Sequence, residues 1–390
     1  MRQFPTRTLA LLSLLTLLLA ACGQPAGTTE PTESTAPASA SASASAAPET
    51  PAPSAAASAS ASAAPAASPA GGAVSYQEPC TQAAASSEAP PTPRRLVVGT
   101  GGTGGVFYPY GGGIARILTE RMADTEATAE VTGGSVDNMK LIQAGDADLG
   151  LSTVDSAYDA LQGQASYEAT GKVPACTLAT LYPSFLHVIA LESSGINTIA
   201  DMKGKRVSVG SAGSSTEDAA DRVIEASGLN PQSDITRDNL SVAESVAAMK
   251  DQKIDAFFWI GGLPTSAVTD LVATPGLTVK FLPTAELVPQ LVEKYGPVYT
   301  DFALPGGTYA GFDQDIPGIG INNILFVNAN MNEQLAYDIL KTLFDNLEEV
   351  KAIHPEAQKL SLEAAVEGSS IPYHPGAIRF FQEKGVWPSQ

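Results

Sequence analysis

The sequence predicts an α/β fold, because short apolar strands alternate with helical stretches along most of the chain. Two strand-like runs, residues 96–99 and 205–210, are each followed by a loop rich in Gly, Ser and Thr and then by a helical pattern. Residues 94–390 form the predicted folded body, which is long for one core and favours two lobes. We expect a mostly parallel sheet with helices on both faces.

The predicted elements of the body follow in chain order. The first part has a strand at 96–99, a helix ending near 122, a strand at 129–132, a helix at 135–144, a strand at 147–152 and an apolar segment at 178–191 that Pro183 interrupts. The second part has a strand at 205–210, helices at about 216–227 and 242–251, and a strand at 254–260. Late strands near 320–328 and one long helix from about 333 to 351 complete the pattern.

The N-terminal 21 residues have the features of a secretory signal. Arg2 and Arg7 precede an uncharged apolar stretch at 9–21, which is shorter than the roughly 20 residues that span a bilayer. Small residues before Cys22 resemble a bacterial lipobox, which implies cleavage at that point and acylation of the Cys22 thiol. The alternative is an ordinary signal peptide followed by a chance cysteine. We expect an extracytoplasmic lipoprotein held at the cell membrane.

Residues 22–93 are predicted to be a disordered tether. Ala, Ser, Pro and Thr dominate this stretch, large apolar residues are scarce, and no Lys or Arg occurs in it. A coil of this length reaches roughly 45–50 Å. The tether would hold the folded body away from the membrane surface.

Charge and composition exclude several classes of protein. The net charge is −19, which disfavours nucleic-acid binding and docking on anionic lipid. Three Cys and three His provide little material for a metal site, so we expect no metal and no cofactor. Once Cys22 is acylated, Cys80 and Cys176 can pair in an oxidising compartment. We expect that disulfide, with two free thiols as the alternative.

Three polar loops follow predicted strands and open predicted helices. The first loop is 99–105, the second loop is 210–217, and the third loop is 132–135, with Asn138 one turn beyond. Free N–H groups and the positive end of a helix make such junctions anion sites. Capped helices after permissive turns would give the same pattern, but three such loops in one chain favour a binding site.

Nucleotide binding and catalysis have weaker support. The first loop matches G-x-G-x-x-G, but the second strand lacks the acidic residue at its end that a dinucleotide site requires. No G-x-S-x-G or His-Glu-x-x-His motif is present, and His187 lies in an apolar run typical of a buried structural histidine. We expect a binding protein and not an enzyme.

Several of these segments together resemble the TAXI solute receptors, the extracytoplasmic binding subunits of one branch of TRAP transporters. The resemblance covers nearly all of residues 94–390 in order, and the segments that carry it are 98–113, 132–138, 144–150, 181–183, His187, 201–210, 214–217, 254–258, 261–262 and 374–377. It implies a type II periplasmic-binding-protein fold with lobe one at about 94–190 and 306–390 and lobe two at about 191–305. It also implies a monomer that binds a small carboxylate, such as glutamate, glutamine or 2-oxoglutarate, and passes it to a sodium-driven permease without an ATPase.

The loops and the resemblance together predict the ligand-binding residues. In lobe one these are Thr100, Gly101, Gly102, Thr103, Gly104, Gly105, Tyr108, Thr132, Ser135 and Asn138. In lobe two they are Ser211, Gly213, Ser214, Ser215, Thr216, Trp259 and Gly261. Core packing is the alternative for Trp259, and a contribution from Arg116 or Lys140 stays open.

Two other functions remain in competition. A sensory receptor of the same fold would signal to a membrane kinase, and neighbouring genes for a permease or a kinase would separate the two. An exported hydrolase would use Ser or Thr residues of the cleft, and the sequence lacks the nucleophile–base pattern that it needs.

Overall fold

The computed structural model describes Cys80 and residues 92–388. The predicted signal sequence, the acylation site at Cys22 and the tether, apart from Cys80, lie outside the described residues. None of the helices in the described part of the chain is long and apolar enough to cross a membrane.

A sheet of ten strands runs through the described body. In chain order the strands are β1 (Arg94–Gly99), β2 (Thr125–Glu130), β3 (Leu149–Thr153), β4 (Ala175–Leu191), β5 (Arg206–Ser208), β6 (Thr236–Asp238), β7 (Ala256–Gly261), β8 (Val279–Phe281), β9 (Thr300–Leu304) and β10 (Ile316–Asn328). Their spatial order is β2-β1-β3-β10-β4-β7-β5-β6, with β8 beside β4 and β9 beside β10.

The helices alternate with these strands. They are α1 (Phe107–Arg121), α2 (Ser135–Ala144), α3 (Val154–Gln162), α4 (Ser215–Ala226), α5 (Val242–Lys250), α6 (Ser266–Val272), α7 (Val288–Tyr295), α8 (Glu333–Asp345), α9 (Leu347–Lys351) and α10 (Pro375–Glu383). The predicted long helix at 333–351 is wrong, because Asn346 leaves the helical conformation and its side chain bonds to the Thr342 carbonyl. The α/β class and the type II periplasmic-binding-protein fold are confirmed.

The expectation of a mostly parallel sheet is wrong. The pairs β1–β2, β1–β3, β5–β6 and β5–β7 are parallel, but every pair that includes β4 or β10 is antiparallel. Parallel βα units therefore lie at both flanks, and two long strands join them in the middle. The sequence pattern shows the βα units but not the direction of the strands that connect them.

Strand β4 continues through Pro183, so the predicted interruption there is also wrong. Pro183 lies opposite Asn322, and the register between β4 and β10 shifts close by, between Asn323 and Ile324. An irregularity of this kind is where a sheet tolerates a proline, which cannot donate to the ladder. The long apolar segment thus forms one strand of 17 residues.

Strand pairing divides the body near the middle of β4 and β10. Phe185 is the residue of β4 that pairs with both Gly320 of β10 and Gly261 of β7. We therefore define lobe one as residues 94–184 and 321–388 and lobe two as residues 185–320. The predicted limits at 190/191 and 305/306 lie instead at the end of β4 and between β9 and β10. The division into lobes itself stays a prediction.

Three clusters of buried apolar residues stabilise the body. One joins α2 and α3 of lobe one to α4 of lobe two, a second packs α1, α8 and α10 against the sheet, and a third lies under α5 and α6. Cys80 and Cys176 form a disulfide with 6.1 Å between their Cα atoms, and both side chains are buried beside Ala329. The disulfide attaches the end of the predicted tether to the first residues of β4.

Candidate functional site

A cavity lies between the two lobes, where the strands β1, β3, β5 and β7 end. Its empty volume is about 520 Å³, including the solvent at its mouth. Its wall contains Gly101, Gly102, Gly105, Val106, Phe107, Gly133, Gly134, Ser135, Thr153, Tyr182, Ser184, Ser211, Ser214, Ser215, Thr216, Ser241, Val242, Trp259, Ile260 and Gly261. This position at the carboxyl ends of parallel strands is the usual ligand site of open α/β sheets.

Five helices begin at this cavity. The first residues or N-caps of α1, α2, α3, α4 and α5 all belong to its wall. The caps of α4 and α5 are satisfied, because Ser214 accepts from the Glu217 N–H and Ser241 accepts from the Glu244 N–H. Within the described residues, the N-cap positions of α1, α2 and α3 make no side-chain capping bond, although the Ser156 N–H of α3 donates to the Asp155 carboxylate at 2.8 Å. Their N-terminal N–H groups are therefore suited to bind an anion.

The start of α2 and the second loop touch each other across the cavity. The Asp137 N–H donates to the Gly213 carbonyl at 3.0 Å, and the Gly133 N–H donates to the Asp137 carboxylate at 2.9 Å. A Cβ on Gly133 would lie 2.3 Å from the Ala212 carbonyl oxygen, and Gly213 has a φ of +78°. Both positions need glycine, because any larger residue would separate the lobes here.

Hydroxyl groups occupy the centre of the cavity wall. The Thr216 Oγ1 accepts from the Ile260 N–H at 3.2 Å, which leaves its own proton available. The Ser135 Oγ accepts from the Thr153 N–H at 3.1 Å and donates to the Ser215 Oγ at 3.3 Å. In both cases a backbone N–H uses one of the two acceptor sites of the hydroxyl. The Thr216 proton is free to be donated to a ligand, whereas Ser135 gives its proton to Ser215, which leaves the Ser215 proton available.

Trp259 lies at the cavity wall and is held there by a buried chain of hydrogen bonds. Its indole N–H donates to the Thr265 hydroxyl at 3.0 Å, and the Thr265 N–H donates to the Tyr309 hydroxyl at 2.9 Å. Tyr309 in turn donates to Nε2 of His187 at 3.0 Å, because Nδ1 of His187 must donate to the carbonyls of Phe185 and Trp259. His187 is a hydrogen-bonded core residue, and burial lowers its pKa to about 4.

The predicted residues divide into two groups. Those in the cavity wall are Gly101, Gly102, Gly105, Ser135, Ser211, Ser214, Ser215, Thr216, Trp259 and Gly261. Thr100, Thr103, Gly104, Tyr108, Thr132, Asn138 and Gly213 lie outside it. Thr103 and Tyr108 face solvent, and Gly104 packs against α5. Gly213 contacts Asp137, as described above.

The buried residues Thr100 and Asn138 and the half-buried Thr132 form a layer behind the wall. The Asn138 amide donates to the carbonyls of Thr100 and Leu151, each at 2.7 Å, and the Thr132 hydroxyl donates to the Asn138 oxygen at 2.8 Å. These bonds connect the first and third loops to the end of β3. The three residues position the loops and do not face the cavity.

Half of the wall was not predicted. The missed residues are Val106, Phe107, Gly133, Gly134, Thr153, Tyr182, Ser184, Ser241, Val242 and Ile260. Two signals could have found some of them: Thr153 directly follows the strand predicted at 147–152, and Ser241 begins a capping box with Glu244. Tyr182 and Ser184 lie in the middle of β4, where no loop motif marks them.

The wall contains no charged side chain among the described residues. Arg116 pairs with Glu120 at 2.9 Å on the exposed face of α1, and Lys140 lies over the Tyr167 ring at 5.9 Å, so neither reaches the cavity. Within residues 92–388 and Cys80, no group of His, Cys, Asp or Glu has the arrangement of a metal site. An anion in this cavity would be held by neutral donors.

Several solved structures of binding proteins are similar to this chain. The periplasmic aliphatic sulphonate binding protein SsuA from Escherichia coli is 16% identical, with a TM-score of 0.42, over 76% of this chain and 80% of that one. MatC from Rhodopseudomonas palustris, with bound malate, is 12% identical, with a TM-score of 0.46, over 68% and 89%. A putative L-cystine ABC transporter protein from Listeria monocytogenes is 15% identical, with a TM-score of 0.40, over 67% and 94%.

At these identities and TM-scores, nothing about the ligand or the transporter class of this chain follows from the three structures. The family models give a stronger result, because one of them matches residues 98–385, which is nearly the whole folded body. The match includes all the loops that build the cavity. The chain belongs to the NMT1-like family.

Proposed function

We propose that this protein is an extracytoplasmic solute receptor that binds a small carboxylate in the cavity between its lobes. The observation that carries the proposal is the convergence of five helix N-termini on one cavity, three of them without a side-chain cap. Each N-terminus has unpaired N–H groups and a partial positive charge. The arrangement suits an anion small enough to reach several of these helix ends at once.

The acidity of the chain is compatible with an anionic ligand. The net charge of −19 would repel an anion at long range, but salt screens exposed charges over about 8–10 Å. Inside the cavity the nearest groups are hydroxyls and backbone amides. Hydrogen bonds from such donors to a charged group contribute about 1.5–3 kcal/mol each.

Closure of the lobes around the ligand would use β4 and β10 as the hinge. These are the strands that connect lobe one to lobe two through the middle of the sheet, and their pairing partners change at Phe185 and Gly320. The contacts of Gly133 with the second loop, and of Gly105 with Trp259, would form on closure. Hinge closure of this kind is a common way for a binding protein to enclose its ligand.

The same proposal assigns a route for the ligand. Following its resemblance to the TAXI receptors, the chain would deliver the carboxylate to a sodium-coupled TRAP permease while the lipid on Cys22 keeps it at the membrane. Reconstitution of the receptor with its permease in liposomes tests this step. Uptake should need the receptor and an inward sodium gradient, and added ATP should not change it. Uptake that needs ATP hydrolysis would contradict the assignment.

A thermal-shift screen of the full chain in detergent tests the ligand class. The chain should first be stripped of co-purified ligand in urea and refolded, and the panel should contain di- and tricarboxylates, short monocarboxylates and amino acids. A ligand at 100 times its dissociation constant stabilises the folded state by about 2.7 kcal/mol, and calorimetry should follow each hit. A folded chain that responds to no carboxylate would remove this ligand class and leave the fold unaffected.

Two simpler experiments test the anchor and the disulfide. Cys22→Ser should move the protein from the membrane fraction to the soluble fraction. The acylated chain, denatured without reductant, should show no free thiol, because Cys22 carries lipid and Cys80 is bonded to Cys176. Two free thiols per chain would contradict the disulfide in the cell.

A further inference from the structure

We infer that the ligand of this cavity carries carboxylate as its only ionised group, so that a 2-oxo acid or an unsubstituted carboxylic acid binds and the matching α-amino acid does not. The inference rests on the proposed function, since it takes the cavity to be a carboxylate site. It distinguishes between two ligands that the sequence analysis names as equal candidates, glutamate and 2-oxoglutarate.

Every described side chain in the cavity wall is neutral. The polar ones are hydroxyls of Ser, Thr and Tyr182, and burial raises the pKa of Tyr182 well above its usual value, so its phenol stays protonated. Such a wall can donate hydrogen bonds to a carboxylate. It has no carboxylate of its own to pair with an ammonium group.

The acidic residues beside the wall already have partners. Glu356, which lies behind Tyr182, accepts from the Leu263 N–H and pairs with Lys359. Four more precede or follow the wall residues in sequence. They lie in the first turns of the helices that begin there: Asp137 in α2, Asp155 in α3, Glu217 in α4 and Glu244 in α5. Their donors are the Gly133 N–H for Asp137, the Tyr299 hydroxyl for Asp155, Arg237 for Glu217, and the hydroxyl and N–H of Ser241 for Glu244. A ligand ammonium would have to compete with these donors.

Several hydroxyls of the wall already use one of their two acceptor sites, and none of them carries the negative charge that would offset an ammonium group. The oxygens of Thr216 and Ser135 accept from backbone N–H groups, as described above. Ser214 both accepts from the Glu217 N–H and donates to the Ser211 carbonyl at 2.7 Å. A buried ammonium without an anionic partner is strongly disfavoured, and the positive ends of five helices would repel it as well.

The remaining wall is apolar and suits the hydrocarbon part of such an acid. Phe107 and Val106 belong to lobe one, and Trp259, Ile260 and Val242 belong to lobe two. Trp259 is fixed by its bond to Thr265, so its ring is a rigid surface. A short carbon chain between the helix ends and this ring would bury apolar area without needing another polar group.

Calorimetry with matched pairs of ligands tests the inference. The full chain in detergent, stripped of bound ligand, is titrated with 2-oxoglutarate and L-glutamate, and with pyruvate and L-alanine. Within each pair the main difference is a keto oxygen in place of an ammonium group. We expect the oxo acid of at least one pair to bind at least about 30-fold more tightly than the amino acid.

The outcomes separate this inference from the function on which it rests. If an amino acid binds as tightly as its oxo acid, the inference is overturned and the carboxylate receptor stands. If none of the four compounds binds, and the wider carboxylate panel also gives no response, the proposed function itself fails.

A variant of the wall provides a second test. Ser211→Asp adds a carboxylate at the cavity, and Ser211→Asn adds a neutral group of the same size. The preference for the oxo acid should fall about tenfold in Ser211→Asp and stay within about threefold of the wild type in Ser211→Asn. Equal changes in the two variants would contradict the role of charge.

Discussion

Helices α3 and α4 present uncharged residues to the cavity and carry buried charges behind it, from Asp155 in the first turn of α3 to Asp159 and Arg222 farther along. At the cavity, the start of each helix is surrounded by hydroxyls, glycines and aromatic rings. Farther along, Asp159 of α3 forms an ion pair with Arg222 of α4, and both side chains are almost completely buried. The Arg222 guanidinium also donates to the Tyr299 hydroxyl at 2.8 Å, and Tyr299 donates to Asp155 at 3.1 Å.

The difference shows where this chain can use a buried charge. Between α3 and α4 each charge has a permanent partner, so the cost of removing it from water is offset in the folded protein. In the cavity the charged partner would arrive with the ligand. A fixed charge there would stay unpaired in the empty receptor, whereas hydroxyls and helix ends remain hydrated at little cost.

The largest expected effect comes from removing the cation between α3 and α4. Arg222→Met leaves Asp155 and Asp159, each about 1% exposed, without their shared cation. We expect the free energy of unfolding to fall by about 3–5 kcal/mol. Urea denaturation of the Cys22→Ser chain measures this change.

Two further variants control that experiment. Arg116→Met removes an exposed pair with Glu120 and should cost less than about 0.5 kcal/mol. Arg222→Met combined with Asp159→Leu should regain part of the stability, because one of the uncompensated carboxylates is gone. A loss for Arg222→Met no greater than that for Arg116→Met would show that the buried charges do not matter.

Stability should depend on pH in opposite directions for a buried group behind the cavity and for one beside the ion pair of α3 and α4. His187, behind the cavity, has a pKa lowered to about 4 by burial. As the pH falls, this histidine is therefore protonated in the unfolded chain before it is protonated in the folded one. Its contribution to stability is complete above pH 6.5 and is lost as the pH falls toward 4. Asp218, beside Arg222, has a pKa raised to about 6 by burial, so its contribution is complete below pH 3.8 and is lost as the pH rises through 6.

Difference measurements separate these two contributions, each on the order of 3 kcal/mol. Unfolding curves between pH 4 and pH 7 are compared for the wild type, His187→Gln and Asp218→Asn. The wild type should lose stability relative to His187→Gln as the pH falls, and relative to Asp218→Asn as the pH rises. Differences of the same sign would contradict the assigned pKa directions.

The sequence predicts the cavity better than it predicts the buried charges between α3 and α4. The reason is that the residues of each cavity loop are close together in the sequence, whereas the charged partners are not. The loops before α2 and α4 can be recognised because strand, Gly/Ser/Thr turn and helix follow within a short segment, and α2 was predicted at its observed limits. Asp159 and Arg222 are 63 residues apart, and no local pattern relates them. Tyr182 and Ser184 were missed for a similar reason, since they reach the cavity only because β4 crosses the sheet without a break.

The next effect concerns a single hydroxyl of the cavity. Thr216→Ala removes a donor toward the ligand, and we expect the dissociation constant for the carboxylate to rise about tenfold or more. Thr216→Ser keeps the hydroxyl and is the matched control, which should bind within about threefold of the wild type. Calorimetry measures both constants, and an unchanged constant for Thr216→Ala would remove Thr216 from the site.

The smallest effect tests whether the glycine contact between the lobes belongs to the ligand-bound state. A Cβ at Gly133 would lie 2.3 Å from the Ala212 oxygen, so Gly133→Ala should resist closure and weaken ligand binding by about 1 kcal/mol. Gly112→Ala adds the same methyl group where no atom lies within 4 Å and should leave binding unchanged. If Gly133→Ala lowers the stability of the empty receptor but not its affinity, the contact is also present before the ligand arrives, and closure must occur elsewhere. If it lowers affinity alone, the cavity of neutral donors is completed only when the lobes meet at this glycine.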